Sequence, residues 1–199
     1  FLKTIVTTEM ARKVAEANGV TCCDTFTGFK FMAEKKNQLE SQGLGHVIMS
    51  YEESYGYMLD DYVRDKDAVV TSMLICEMAA YYRSIGSSLK QRLEEIYAEY
   101  GRYLNKVNSY EFPGLSGMEK MAGIMDGLRK NPPAEIGGYK VASVTDYQDT
   151  EKTGLPKANV LIYALEGGAT VVVRPSGTEP KIKTYFTTLG KDLAQAQAQ

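Results

Sequence analysis

Thr4-Ile5-Val6-Thr7, then Glu9-Met10-Ala11-Arg12-Lys13-Val14-Ala15-Glu16-Ala17-Asn18, then Val20-Thr21-Cys22-Cys23 follow one another with only Thr8 and Gly19 between them. The first run is β-branched and reads as a strand. The second reads as a helix, with Thr8 as a candidate N-cap and Gly19 as a candidate C′ residue. The third reads as a second strand. Strand, helix and strand in so short a span form a βαβ unit, which implies a parallel pair. In such folds ligands collect outside the carboxyl ends of the strands. Asp24-Thr25-Phe26-Thr27-Gly28-Phe29-Lys30 stands at such an end.

Working outward, residues 31–41 read as a polar, Lys/Glu-rich helix, and residues 46–50 as another apolar strand. That strand runs into Tyr51-Glu52-Glu53-Ser54-Tyr55-Gly56-Tyr57. Residues 66–85 are apolar over most of their circumference, which predicts a buried helix. Residues 87–100 carry Leu89, Leu93, Ile96 and Tyr100 at helical spacing. After Gly101 the character changes. Residues 102–110 look extended, and Ser116-Gly117-Met118-Glu119 reads as a capping box opening a helix to about Arg129. From Gly138 onward the pattern is β: residues 139–147, 159–165, 170–173 and 182–187, with Glu166-Gly167-Gly168 turning one hairpin. The predicted architecture is α/β. A three-layer domain with a mixed sheet spans residues 1–107, and a smaller α+β domain with an antiparallel sheet spans 108–199.

The chain has 199 residues, 44% hydrophobic and 24% charged, which is ordinary globular composition. A net charge of −2 implies no broad attraction to nucleic acid or to an anionic membrane. Three cysteines without a C-x-x-C pair argue against a disulfide framework or a thiolate metal site, and fit a reducing, cytoplasmic setting. No apolar run is long enough to span a membrane. The start at Phe1, leading straight into a strand-like segment, points to a piece of something longer.

Two loops carry the chemistry. Arg174-Pro175-Ser176-Gly177-Thr178-Glu179-Pro180-Lys181 lies between two strands. Gly177 permits close approach and unusual φ, Ser176 and Thr178 bring hydroxyls, and Arg174 brings a planar fork that suits phosphate. Together they form a plausible phosphate nest, the bland alternative being a tight hairpin turn. Glu52, Glu53 and Ser54 offer a dense set of acceptors and donors suited to sugar hydroxyls. For Glu53 an outward solvated carboxylate or a structural ion pair is as good a reading as a ligand role, and Lys30 is readable as the exposed side of a helix start. His46, the only histidine, precedes a core strand, where a structural hydrogen bond is expected. Cys22 and Cys23 read as buried, inert thiols.

These residues resemble the α-D-phosphohexomutases, the phosphoglucomutase/phosphomannomutase superfamily. Arg174 to Lys181 resembles the phosphate loop of that family's last domain. Glu52-Glu53-Ser54-Tyr55-Gly56 resembles the sugar-binding loop of its third domain, and Thr27-Gly28-Phe29-Lys30 the Thr-Gly-aromatic-Lys segment of its phosphoglucomutase-like members. The resemblance covers essentially the whole chain and implies the third and fourth of four domains. It implies that Glu52, Ser54, Thr27, Gly28 and Lys30 face the sugar, and that Arg174, Ser176, Gly177, Thr178 and Lys181 bind the phosphate that is not transferred. It further implies a parent enzyme that interconverts hexose 1-phosphate and hexose 6-phosphate through a phosphoserine. In that enzyme glucose 1,6-bisphosphate is the intermediate and activator, and Mg2+ is bound by a domain absent here. The serine loop and the Asp-rich metal loop have no counterpart in this sequence, so the fragment alone is expected to be inactive. Its partners are then a hexose phosphate and the missing N-terminal domains. The alternatives are a stand-alone sugar-phosphate binding module, or mannose or pentose specificity.

Overall fold

A computed structural model describes every residue of the chain except Asp61, Leu115 and Thr178. The chain divides into two compact units, Phe1–Gly101 and Arg102–Gln199. The sequence places the boundary at 107/108. It falls earlier because residues 102–111 form one uninterrupted strand of the second unit's sheet, paired along its whole length.

The first unit is built on a four-stranded mixed sheet. β1 (Leu2–Thr4) runs parallel to β2 (Cys23–Thr25) and β3 (Met49–Tyr51), and β4 (Tyr57–Leu59) runs antiparallel to β3. The spatial order is β2-β1-β3-β4. Helix α1 (Met10–Ala17) closes the expected βαβ unit, and Gly19 after it adopts φ +72°, the left-handed value of a C′ residue. The strands themselves are displaced from their sequence readings. Residues 5–7 are a turn, with the Thr7 amide donating to the Thr4 carbonyl at 3.0 Å, so β1 ends where the β-branched run continues. Strand propensity is a weak guide when buried side-chain hydroxyls hold a turn.

Helix α2 (Phe29–Ser41) lays Phe29 and Met32 onto Leu2, Val47 and Met58, which form the core of this unit. Its lysines are not all solvated. Lys36 is fully buried, donating to the carbonyls of Val47 at 3.3 Å and Asp60 at 2.7 Å and pairing with Glu40. Helix α3 (Ala68–Ser84) departs most from expectation. Its only buried residue is Thr71, and Val69 and Met73 are 80% and 63% exposed. A helix apolar on all sides needs neighbours on all sides. Among the described residues of this unit its main neighbours are the edge strand β4 and helix α4 (Leu89–Tyr100).

The second unit is a six-stranded antiparallel sheet in the order β5-β10-β9-β8-β7-β6. The strands are β5 (Arg102–Glu111), β6 (Glu135–Ile136), β7 (Tyr139–Asp146), β8 (Leu161–Leu165), β9 (Thr170–Pro175) and β10 (Lys181–Gly190). Gly167 and Gly168, at φ +86° and +87°, make the turn between β8 and β9. Helix α5 (Gly117–Lys130) presses Met121 and Met125 onto alternate residues of the sheet, Leu161, Tyr163, Val171, Val173 and Ile182. That alternation is the period-2 pattern of the sequence. Two short helices, α6 (Thr150–Thr153) and α7 (Leu193–Ala198), complete the unit; the Asp192 carboxylate caps α7 by accepting from the Gln195 amide.

The capping box at Ser116 does not form. Ser116 sits at φ −84°, ψ 1° and makes no side-chain cap bond. A capping side chain reaches back from an extended backbone, which Ser116 lacks.

Arg129 near the end of α5 donates to both carboxylate oxygens of Asp146, at 2.8 and 3.2 Å, and to Asn159 Oδ1 at 2.6 Å. Burial alone would raise the Asp146 carboxyl, but the Arg129 and Gln148 hydrogen bonds outweigh it and hold the group below its ordinary value. A depressed carboxylate contributes stability that is present above the unfolded value of about 3.9 and is lost as pH falls through the folded value. Asp146→Asn is therefore expected to lower the stability of this unit by about 1 kcal/mol at neutral pH. The gap from the unaltered chain should begin to narrow below about pH 4 and close only once the pH is below the depressed folded value. Urea titrations across that range measure it.

Candidate functional site

In the first unit the candidate residues gather at the carboxyl ends of the parallel strands. The chain leaves β2 through Phe26 and Thr27, and Gly28, at φ +113°, turns it into α2 as the residue preceding that helix. An L-side chain there would be strained. The amino end of a 13-residue helix thus opens beside Thr27 and Gly28, where backbone N–H groups and the helix dipole favour negative charge.

The loop between β3 and β4 closes on itself, the Glu52 amide donating to the Gly56 carbonyl at 3.0 Å. Tyr55 within it takes φ +66°. Such a left-handed conformation costs a non-glycine residue about 1 kcal/mol or more and persists where neighbours hold it. Gly56 is packed from three sides. A Cβ there would lie 2.6 Å from Phe29 Cε2, 2.8 Å from Glu52 Oε1 and 2.8 Å from Lys66 Cδ. The Thr27–Lys30 segment and the Glu52–Gly56 loop therefore meet, Phe29 of one lying against Gly56 of the other. Lys66 also belongs here, its Nζ 5.1 Å from the Phe29 ring centroid and 3.1 Å from Asp65 Oδ1. Nothing in the spacing of residues 56 and 66 signals that contact; the β4 hairpin creates it. Lys30 is exposed and leans over its neighbour Phe31, 4.8 Å from that ring's centroid.

The two glutamates part company. While Glu52 turns towards Gly56 and Lys66, Glu53 Oε2 accepts from the Thr4 hydroxyl at 2.9 Å and the Thr7 hydroxyl at 3.3 Å. Behind these threonines Lys3 is fully buried. Its ammonium pairs with Glu9 at 2.6 Å and Asp24 at 2.9 Å, and Arg12 bridges the same two carboxylates. Burial would raise the Glu9 carboxyl, but the charges and hydrogen bonds of Lys3 and then Arg12 hold it below its usual range. His46 is half-exposed, its Nε2 3.9 Å from Asp60 Oδ1. Cys22 is buried, Cys23 half-buried, and burial pushes the Cys22 thiol up.

In the second unit the candidate loop is the hairpin between β9 and β10. The Ser176 amide donates to the Lys181 carbonyl at 2.8 Å, the Lys181 amide to the Glu179 carbonyl at 2.7 Å, and the Glu179 amide to Ser176 Oγ at 3.2 Å. These three N–H groups are directed back into the loop, so the anion chemistry rests more on side chains than a nest of amides implies. Gly177 does not use a left-handed φ. A Cβ there would meet nothing within 4 Å, so the backbone at Gly177 is open to a ligand's approach. Thr178 lies outside the described residues.

Arg174 and Lys183 stand directly opposite each other on adjacent strands. Like charges at such a pair are destabilising unless an anion joins them. Lys181 Nζ pairs with Glu179 at 2.5 Å, and that hydrogen bond, followed by the charges of Lys181 and Lys183, holds the Glu179 carboxyl low. From below, the Phe112 amide donates to the Pro180 carbonyl at 2.7 Å, and Gly117 packs beneath Pro180.

Among the described residues no group of three or more His, Cys, Asp or Glu side chains is placed to hold a metal ion, and no helix is long and apolar enough to cross a membrane.

Comparison with known proteins matches each unit to a domain of one family. Residues 1–100 match the phosphoglucomutase/phosphomannomutase alpha/beta/alpha domain III, and residues 125–199 match the C-terminal domain of the same family. A phosphoglucomutase of Staphylococcus aureus strain MSSA476 is 38% identical over 197 residues, and one of strain MRSA252 is 39% identical over the same length. Each alignment covers 94% of this chain and 35% of the relative, so the chain spans about a third of the length of the curated relatives it matches. Among solved structures, Paramecium pp63/parafusin in an open form superposes with a TM-score of 0.72 at 22% identity, covering 99% of this chain and 34% of that one. A phosphoglucomutase/phosphomannomutase family protein of Burkholderia thailandensis superposes with a TM-score of 0.63 at 14% identity, covering 100% of this chain and 35% of that one. At those identities the likeness is one of fold.

Proposed function

The chain belongs to the phosphoglucomutase/phosphomannomutase family, and from that membership we propose that it supplies the sugar-binding and phosphate-anchoring parts of a hexose-phosphate mutase. The observation that carries the reading is the Arg174–Lys183 pair, two cations side by side on neighbouring strands beside the open backbone of Gly177. Arg174 presents a fork to two phosphate oxygens, and Lys183 adds charge. Ser176 and Lys181 complete the loop, and Thr178 is assigned with them by family pattern alone. Glu52 and Ser54 accept from and donate to sugar hydroxyls, with Thr27 and Gly28 on the adjoining helix start. Lys66 joins them, and Lys30 stays at the rim.

The reaction of the parent protein is then a transfer of phosphoryl from an enzyme phosphoserine to the free terminal hydroxyl of a hexose monophosphate. The bisphosphate formed turns over and returns its other phosphoryl to the serine. A site that must accept both orientations needs one group for whichever phosphate stays and another for the hydroxyls common to both. The 174–181 hairpin suits the first role and the Glu52–Gly56 loop the second, and positioning of this kind carries much of phosphoryl-transfer catalysis. The serine and the Mg2+ of the family belong to segments outside these residues. Among the described residues no group of side chains offers Mg2+ a ligand set, and the chain alone is expected to bind without turnover. A cytoplasmic setting follows from the metabolic role.

Titrating glucose 1,6-bisphosphate into the 199-residue chain tests this. Saturable changes in the amide resonances of residues 174–181 and 52–56 are expected. Their absence from both loops overturns the reading.

A further inference from the structure

We propose that Glu53 is a positioning residue that latches the sugar loop to the turn after β1, and so holds Glu52 and Ser54 where they meet a hexose. The role assigned to Glu52 and Ser54 rests on the function proposed above; the latch itself does not.

Glu53 is exposed by area, which from sequence suggests a solvated carboxylate. Its oxygen is nevertheless within hydrogen-bond reach of two buried hydroxyls, Thr4 and Thr7, which are themselves 2.8 Å apart. Buried hydroxyls without a partner are costly, so the carboxylate satisfies the turn as the turn holds the carboxylate. The turn is a firm anchor. Besides the Thr7–Thr4 backbone bond, the buried Lys3 ammonium donates to the carbonyls of both Thr4 and Thr7 at 3.3 Å. Lys3 is in turn fixed by Glu9 and Asp24.

The loop needs such an anchor. Three residues separate Glu52 from Gly56, Tyr55 among them is left-handed, and one backbone bond closes the loop. With Glu53 drawn back to Thr4 and Thr7, Glu52 faces Gly56 and Lys66. The pair of adjacent glutamates thereby divides into one carboxylate for the scaffold and one for the ligand.

The experiment measures amide hydrogen exchange at Glu52, whose N–H closes the loop, together with affinity for glucose 1,6-bisphosphate and for inorganic phosphate. Glu53→Ala is expected to speed Glu52 exchange about tenfold, the loss of a charge-assisted hydrogen bond. It should weaken glucose 1,6-bisphosphate by about the same factor while leaving inorganic phosphate, a ligand of the 174–181 loop alone, unchanged. Thr4→Val should reproduce the effect and Thr4→Ser, which keeps the hydroxyl, should restore it. Unchanged Glu52 exchange in Glu53→Ala overturns the latch. Faster exchange with unchanged sugar-phosphate affinity overturns the positioning role. Equal losses for both ligands reduce Glu53 to general stability and overturn it also. If the unaltered chain binds neither ligand, the proposed function fails and the positioning role with it, whereas the exchange result still decides the latch.

Discussion

Gly117→Ala should lower the stability of the Arg102–Gln199 unit by about 3 kcal/mol, near the top of the range for forcing atoms into a filled site. A Cβ at Gly117 would lie 1.9 Å from the Phe112 carbonyl oxygen and 3.1 Å from Pro180 Cβ. The first is a backbone atom and cannot rotate away. Relief requires moving either the start of α5 or residues 112–113, and Phe112 is tied to Pro180 through its amide. The damage should therefore reach the 174–181 hairpin as well as the helix. Gly123 and Gly127, in the same helix, are the control. Nothing lies within 4 Å of a Cβ at either, and both are exposed. Alanine there should raise stability by about 0.5–1 kcal/mol, through helix propensity and a less flexible unfolded chain. Urea unfolding of the three variants reads the sign directly. A Gly117→Ala protein as stable as its parent would show that the approach of α5 to Phe112 is wrong.

Arg174→Ala should weaken glucose 1,6-bisphosphate by about 30-fold, the equivalent of about 2 kcal/mol for a charge-assisted bidentate contact. The fold should be unaffected, since Arg174 stands at the end of β9 on the face opposite the Val173 and Ile182 core. Removing it also relieves repulsion with Lys183, so stability should hold or rise slightly. Arg174→Lys restores charge without the fork and should recover only part of the affinity. Lys183→Ala should cost less than Arg174→Ala. Calorimetric titration at two salt concentrations separates the two residues, because the Lys183 contribution is the more screened. An Arg174→Ala variant that binds as well as its parent would remove the phosphate anchor from the proposed function.

Both experiments turn on contacts of different legibility. The hairpin loop and its flanking strands could be read from residues 170–187, because alternation and turn chemistry act between near neighbours. The same holds for the βαβ start. The capping box at Ser116 could not be judged that way. Its pattern is right, yet the close approach of Gly117 to Phe112 shapes the backbone there. The apolar circumference of α3 likewise reports what the helix could bury, and not what stands beside it.

Composition and periodicity were enough to determine an α/β unit followed by an antiparallel one, and three short motifs resembled those of the family to which the chain belongs. Only the tertiary structure decided which groups each loop residue meets. Glu53 and Thr4 are 49 positions apart, Lys66 reaches Gly56 across a hairpin, and Arg174 faces Lys183 through strand register. Side-chain chemistry is written residue by residue, but which side chains meet depends on how the backbone closes over distances that no local pattern spans.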